Sequence, residues 1–179
     1  MLKNLKMFLI FLSTLAALTL ALKLLSWLPL NVQKGTLRSY GAIEDVSAEL
    51  RPAKIFLPSY FPQYLKWPPS EIYAQKGSVT PPASILMHFT NQNTGEIVLA
   101  TSQGGAGTPE LKSKIEPVRI IKEEDVLIKG RSARLYLAIC ADGKPCNKVG
   151  WQEDGYLIAV TLKDSAAEAL RIAESMLSD

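Results

Sequence analysis

Apolar residues run unbroken from Met7 to Leu22 (MFLIFLSTLAALTLAL), stop at Lys23, and resume through LLSWLPL to Leu30. Sixteen helical residues would span about 24 Å at ~1.5 Å each, and the stretch to Leu30 about 36 Å, against a hydrocarbon core of ~30 Å. The pattern predicts a transmembrane helix within residues 1–30, with Lys23 snorkelling and Trp27 at the outer interface. Lys3 and Lys6 ahead of the run orient its amino end inside. A cleaved signal peptide is the alternative, but Thr19-Leu20-Ala21 is a poor cleavage site and Lys23 an unusual mature start. No cysteine follows the run, which excludes a lipoprotein anchor. Both readings place the rest of the chain outside the cytoplasmic membrane, either single-pass or exported.

Beyond residue 30 the pattern changes to short elements. Residues 31–41 read as a linker, and 42–179 as an extracytoplasmic domain. Ile43, Val46 and Leu50 recur at helical spacing and Pro52 stops them, predicting a short helix over 42–50. Strand patterns follow at 71–75, 84–90, 96–101, 117–122, 125–129, 132–140, 147–152 and 156–162. Asn91–Gly95 and Glu153-Asp154-Gly155 read as hairpin turns, Glu123-Glu124 as a break, and Gly104, Gly105 and Gly107 as a mobile loop. Ser165 and Glu168 form a capping box for a last helix to about Leu177, with Ala166, Ala169, Leu170, Ile172, Ala173, Met176 and Leu177 on its apolar face. The sum is an α+β fold: an antiparallel β-sheet of about six to eight strands in a meander, packed by a C-terminal helix.

Composition adjusts this picture in one respect. The chain of 179 residues carries 20 basic and 17 acidic residues, a formal charge of +3. Lys3, Lys6 and Lys23 lie in the first thirty residues, which contain no acid, so the remainder is balanced. A balanced domain lacks the electrostatic footprint of a nucleic-acid binder. The excess charge and much of the positive mean hydropathy belong to the membrane segment.

The candidate chemistry is sparse. Cys140 and Cys146 flank a hairpin loop (C-ADGKP-C), which in an oxidising compartment reads as a disulfide. A metal site lacks further ligands nearby, a redox centre would more usually be C-x-x-C, and free thiols are the remaining alternative. His88, the only histidine, alternates with Met87 and Phe89 in a strand, and no nucleophile elbow exists, so it reads as a packed strand histidine. The sequence names no catalytic residue, no metal site and no cofactor. KIFLPSYFPQYLKWPPSEIYAQ holds Phe56, Tyr60, Phe61, Tyr64, Trp67 and Tyr73, six of the fourteen aromatics, with Pro58, Pro62, Pro68 and Pro69 among them. Prolines this dense forbid a long helix, leaving an extended segment with one turn at 62–65. Phe56, Phe61 and Leu65 are expected to pad the sheet. Tyr60, Tyr64 and Trp67 are the candidates for an exposed binding patch.

FLPSYFP at 56–62, WQEDGYLIAV at 151–160 and ALRIAESM at 169–176 resemble an uncharacterised family of bacterial extracytoplasmic domains. In that family an L-P-x-x-(Y/F)-P start leads into a β-meander, a last hairpin carries W-x-x-(D/E)-G-Y, and a helix ends I-A-E-S. The resemblance covers 54–178 and extends distantly to lipoprotein-carrier and sigma-regulator folds. It implies membrane tethering and brings no catalytic residues. Some members follow an anti-sigma segment, for which the six or so residues before the anchor leave no room. The expected function is a membrane-anchored, non-enzymatic domain of the bacterial envelope that binds an envelope protein or cell-wall component. A carrier or sensor of an apolar, lipid-like ligand between sheet and helix is the alternative, and a hydrolase ranks third. An apolar cavity against the helix would favour the carrier; a filled core there would favour the interaction domain.

Overall fold

A computed structural model describes residues 13–14, 18–19, 23, 37–50, 54–76, 83–105, 108 and 110–177. The chain divides into two compact units, Met1–Leu37 and Arg38–Asp179. Among the described residues no helix is long and apolar enough to cross a membrane. The expected anchor over residues 1–30 lies almost entirely outside them.

The second unit is built on one eight-stranded sheet. Its strands are β1 (Leu37–Tyr40), β2 (Glu71–Lys76), β3 (Ala83–Thr90), β4 (Ile97–Gly105), β5 (Pro117–Ile128), β6 (Arg131–Cys140), β7 (Pro145–Glu153) and β8 (Tyr156–Leu162). Two helices accompany them, α1 (Ile43–Leu50) and α2 (Ala166–Ser175). The spatial order is β1-β2-β3-β4-β8-β7-β6-β5, so the expected meander is two meanders joined where β8 returns beside β4. The pairs β2–β3, β3–β4, β4–β8, β8–β7, β7–β6 and β6–β5 are all antiparallel. Lys129-Gly130 and Asp154-Gly155 take left-handed backbone and close two-residue hairpins.

Strand alternation divides the sheet into two faces. On the helix face, Phe89, Leu99, Leu135, Val149, Trp151, Ile158, Val160 and Leu162 form the main core with Ala169, Ile172 and Ala173 of α2. Those three helix residues are fully buried, so the sheet–helix interface is filled. Ser165 caps α2 by accepting from the Glu168 N–H at 3.2 Å. The Glu168 carboxylate completes no capping box; it accepts from the Tyr60 hydroxyl at 2.6 Å.

Three further expectations are corrected. Glu123-Glu124 is no break: β5 runs through it, with Glu123 opposite Tyr136 and Glu124 opposite Leu135. Arg134 on β6 pairs with Glu123 (3.0 Å) and Asp125 (3.6 Å), which offsets the clustered acids on this edge strand. Gly104 and Gly105 lie in β4 rather than in a loop. A Cβ at Gly104 would come within 2.9 Å of the Ser84 hydroxyl and 3.0 Å of that of Thr108, so the glycine answers to close approach from above. The expected linker contains β1, where Tyr40 packs on the core and Arg38 pairs with Glu49 of α1.

Cys140 and Cys146 are bonded, with Cα atoms 5.7 Å apart. Cys146 stands opposite Ala138, so the two cysteines are diagonal rather than direct cross-strand neighbours. Their sulfurs are buried on the face opposite α2, with Leu86, Ala100, Ile115 and Ala138. Closing so short a loop contributes about 2 kcal/mol in the chain-entropy model. Reduction, or the Cys140→Ser/Cys146→Ser pair, is expected to lower unfolding free energy by about that amount without loss of strand content, read by urea unfolding and circular dichroism.

Candidate functional site

The registers fix which side chains share the face opposite α2, here the open face. Three rows run across the strands there. One is Leu86–Ser102–Ala159–Gly150–Arg134–Asp125. Its neighbours are Gly104–Leu157–Gln152 on one side and Ala100–Thr161–Lys148–Tyr136–Glu123 on the other. The middle of the first row is made only of small residues, whereas Leu157 and Gln152 stand to one side and Lys148 and Tyr136 to the other. The result is a groove of about 670 Å³ with Ser102, Ala159 and Gly150 in its floor. At ~4.8 Å per strand its run from β4 to β6 is roughly 14 Å.

Gly150 decides the character of this floor. It lies in a strand paired on both sides, its backbone is not left-handed, and a Cβ there would meet only the Ile158 carbonyl oxygen, at 3.9 Å. Neither conformation nor crowding calls for glycine, and the bare backbone opens the groove. Ile120, Leu127 and Leu157 are large, exposed and on this same face, Leu127 at 70% exposure. The basic residues at the groove are paired with acids: Lys148 with Glu110 at 2.7 Å, and Arg134 with Glu123 and Asp125. None of the lining residues comes from α2.

One side of the groove is formed by the segment 110–116, through Glu110, Leu111 and Glu116. His88, 1% exposed, anchors that segment. Its Nδ1 lies 3.0 Å from Glu71 Oε2, and its Nε2 lies 3.0 Å from Ser113 Oγ. A carboxylate only accepts, so Nδ1 carries the proton and Nε2 accepts from the Ser113 hydroxyl. Lys114 binds the other oxygen of Glu71. Burial, the largest influence, holds the His88 imidazole below its ordinary 6.5, and the hydrogen bond from Lys114 holds Glu71 below its ordinary 4.5.

Glu71, His88 and Ser113 stand in the order of a hydrolase triad, which strand pattern alone did not reveal because the three come from β2, β3 and a loop. The backbone around Ser113 is itself hydrogen-bonded. Ser113 N–H donates to Glu116 (3.1 Å), Ile115 N–H donates to Ser113 Oγ (3.2 Å), and Lys114 N–H points at His88 (3.4 Å). Those three amides are therefore not free to stabilise an oxyanion. Ser113 borders a space of about 10 Å³, room for no more than one water.

The aromatic segment lies along the helix face. Gln103 clamps its start, accepting from Phe56 N–H and donating to the Lys54 carbonyl, both at 2.8 Å. Phe56 and Leu65 are buried and Phe61 is partly so, in keeping with a padding role. Of the three patch candidates, Tyr60 and Tyr64 are partly buried, with hydroxyls donated to Glu168 (2.6 Å) and Asp164 (2.5 Å). The hydrogen bond to Glu168 raises the Tyr60 pKa, and burial with Asp164 raises that of Tyr64. Trp67 is 51% exposed and rests on Phe61 and Phe89.

No family model, curated protein or solved structure matches the chain.

Both depressed pKa values act in one direction. Below about pH 6.5 the unfolded chain's imidazole takes up a proton that buried His88 resists, and below about pH 4.5 the unfolded Glu71 protonates before the folded one. Stability is thus expected to be full above pH 6.5 and to fall on acidification, and His88→Gln to flatten the slope between pH 5 and 7. The same substitution should cost about 1–3 kcal/mol at neutral pH, as Glu71 and Ser113 lose their partner. Denaturant titrations at several pH values read both effects. A fluorophosphonate probe is expected to leave Ser113 unlabelled in intact protein by peptide mass spectrometry.

Proposed function

We propose that this is a non-enzymatic binding domain of the bacterial envelope, held outside the cytoplasmic membrane by the apolar segment of residues 1–30. The groove across the open face is its binding site. The observation that carries this reading is Gly150, a glycine that neither backbone geometry nor packing requires, in the floor of a groove of about 670 Å³. That size lies within the range of sites for small organic ligands. Supporting an exterior location are the Cys140–Cys146 bond and the resemblance to bacterial extracytoplasmic domains. The engagement of the Ser113 amides supports a role other than hydrolysis. The carrier or sensor reading is favoured by the same groove, with its ligand moved from the filled helix interface to the opposite face. The groove stands ahead of Tyr60, Tyr64 and Trp67 because two of those hydroxyls are already spent on α2 and its approach.

A photo-crosslinking residue placed at Leu157, on the groove rim, tests the assignment against one placed at Trp67. In intact expressing bacteria, Leu157 is expected to yield a discrete adduct that Gly150→Trp abolishes. Adducts from Trp67 alone, or a Leu157 adduct indifferent to Gly150→Trp, would move the site elsewhere.

A further inference from the structure

We infer that the occupant of the groove is an aliphatic chain lying across the strands, a conclusion that rests on the groove being the binding site. Its floor belongs to β4, β8 and β7, each paired on both sides. Their backbone N–H and C=O groups are committed to the sheet ladders and offer nothing to a ligand lying on the face. A peptide stretched along this floor would leave its own amides without main-chain partners, at a cost for each. Peptides recruited by sheets use a free edge instead, and the β5 edge is interrupted by register shifts at Val118 and Ile121.

An anionic ligand fares no better. Lys148 is engaged by Glu110, and Arg134 by Glu123 and Asp125, so both basic residues of the walls already have acidic partners, and Glu116 adds a further carboxylate. At the β4 end the Ser84 hydroxyl is spent on Thr108 at 3.2 Å. Along the middle the contacts are Ala159, the exposed backbone of Gly150 and the apolar side chains of Leu157 and Ile120, with the Ser102 hydroxyl in the floor and Gln152 and Tyr136 to its sides. A floor without protruding side chains, roughly 14 Å long from β4 to β6, accepts an unbranched chain over its length. Burial of each methylene then contributes about 0.8 kcal/mol with no hydrogen bond to replace. The chain could come from a free fatty acid or from a diacyl lipid, and the groove treats the two alike.

The test feeds expressing bacteria a clickable, diazirine-bearing palmitate and maps the photo-adduct on the full chain by peptide mass spectrometry. Label is expected on peptides of β4, β7 and β8, reduced at least fivefold by Gly150→Trp. Circular dichroism and the thermal midpoint are expected to match the parent. Should Gly150→Trp fail to fold, Leu157→Glu, at an exposed rim position, is expected to weaken the label several-fold. The adduct mass separates the sources: free acid alone, or acid esterified in a lipid, and either supports the inference. Label absent from those strands, or undiminished in a folded variant, overturns it. If the Leu157 crosslink is nevertheless lost in Gly150→Trp, the groove stands and the aliphatic class falls. If that crosslink also fails, the groove is not the site.

Discussion

The period of two along each strand, locked by register across β3, β4, β8, β7 and β6, is the constraint from which the domain follows. It sends Leu99, Val149, Val160 and Leu162 to one face and Ser102, Gly150 and Ala159 to the other. A slip of one residue in any pair would exchange these sets for that strand. One face is therefore apolar and bulky enough to require cover, which α2 and the aromatic segment supply. The other is lined by small and polar residues, and the segment 110–116 covers only part of it. Among the described residues, the groove is the part left uncovered.

Both coverings of irregular backbone are held in the same way, by a buried polar side chain projecting from a strand. Gln103 reaches from β4 on the helix face to Lys54 and Phe56, and His88 reaches from β3 on the open face to Ser113. Each satisfies its own polar atoms while fixing a stretch that has no ladder to join, so burial and positioning are one interaction. The Cys140–Cys146 bond lies under the same cover as His88, with Ile115 between sheet and segment. That latch holds the segment whose Leu111 and Glu116 form one side of the groove.

Much of the fold was legible in sequence because it is encoded locally. The spacing of Ile43, Val46 and Leu50, the alternation in 84–90 and 156–162, the Asp154-Gly155 turn and the Ser165 cap each specify their element from within a few residues. The failures share a cause in distant partners. Glu123-Glu124 reads as a break until Arg134 is placed opposite, and Gly104 reads as a loop until Ser84 and Thr108 close over it. Tyr60 and Tyr64 read as free contact residues until Glu168 and Asp164 arrive from about a hundred residues further on. The groove was invisible for the same reason: Ser102, Gly150 and Ala159 are unremarkable singly, and only the registers set them side by side. The Glu71–His88–Ser113 relay is assembled from three separate stretches, which no local pattern joins.

Accessibility of the groove floor tests the central claim most directly. The thiol of a Gly150→Cys variant can be followed by its rate of maleimide alkylation, in protein purified and stripped of bound material and in intact expressing bacteria. If the open face is the occupied binding face, alkylation is fast in the stripped protein and strongly slowed in cells. Equal rates in the two settings would show a groove that holds nothing, and a thiol unreactive in both would show that the floor is not open at all.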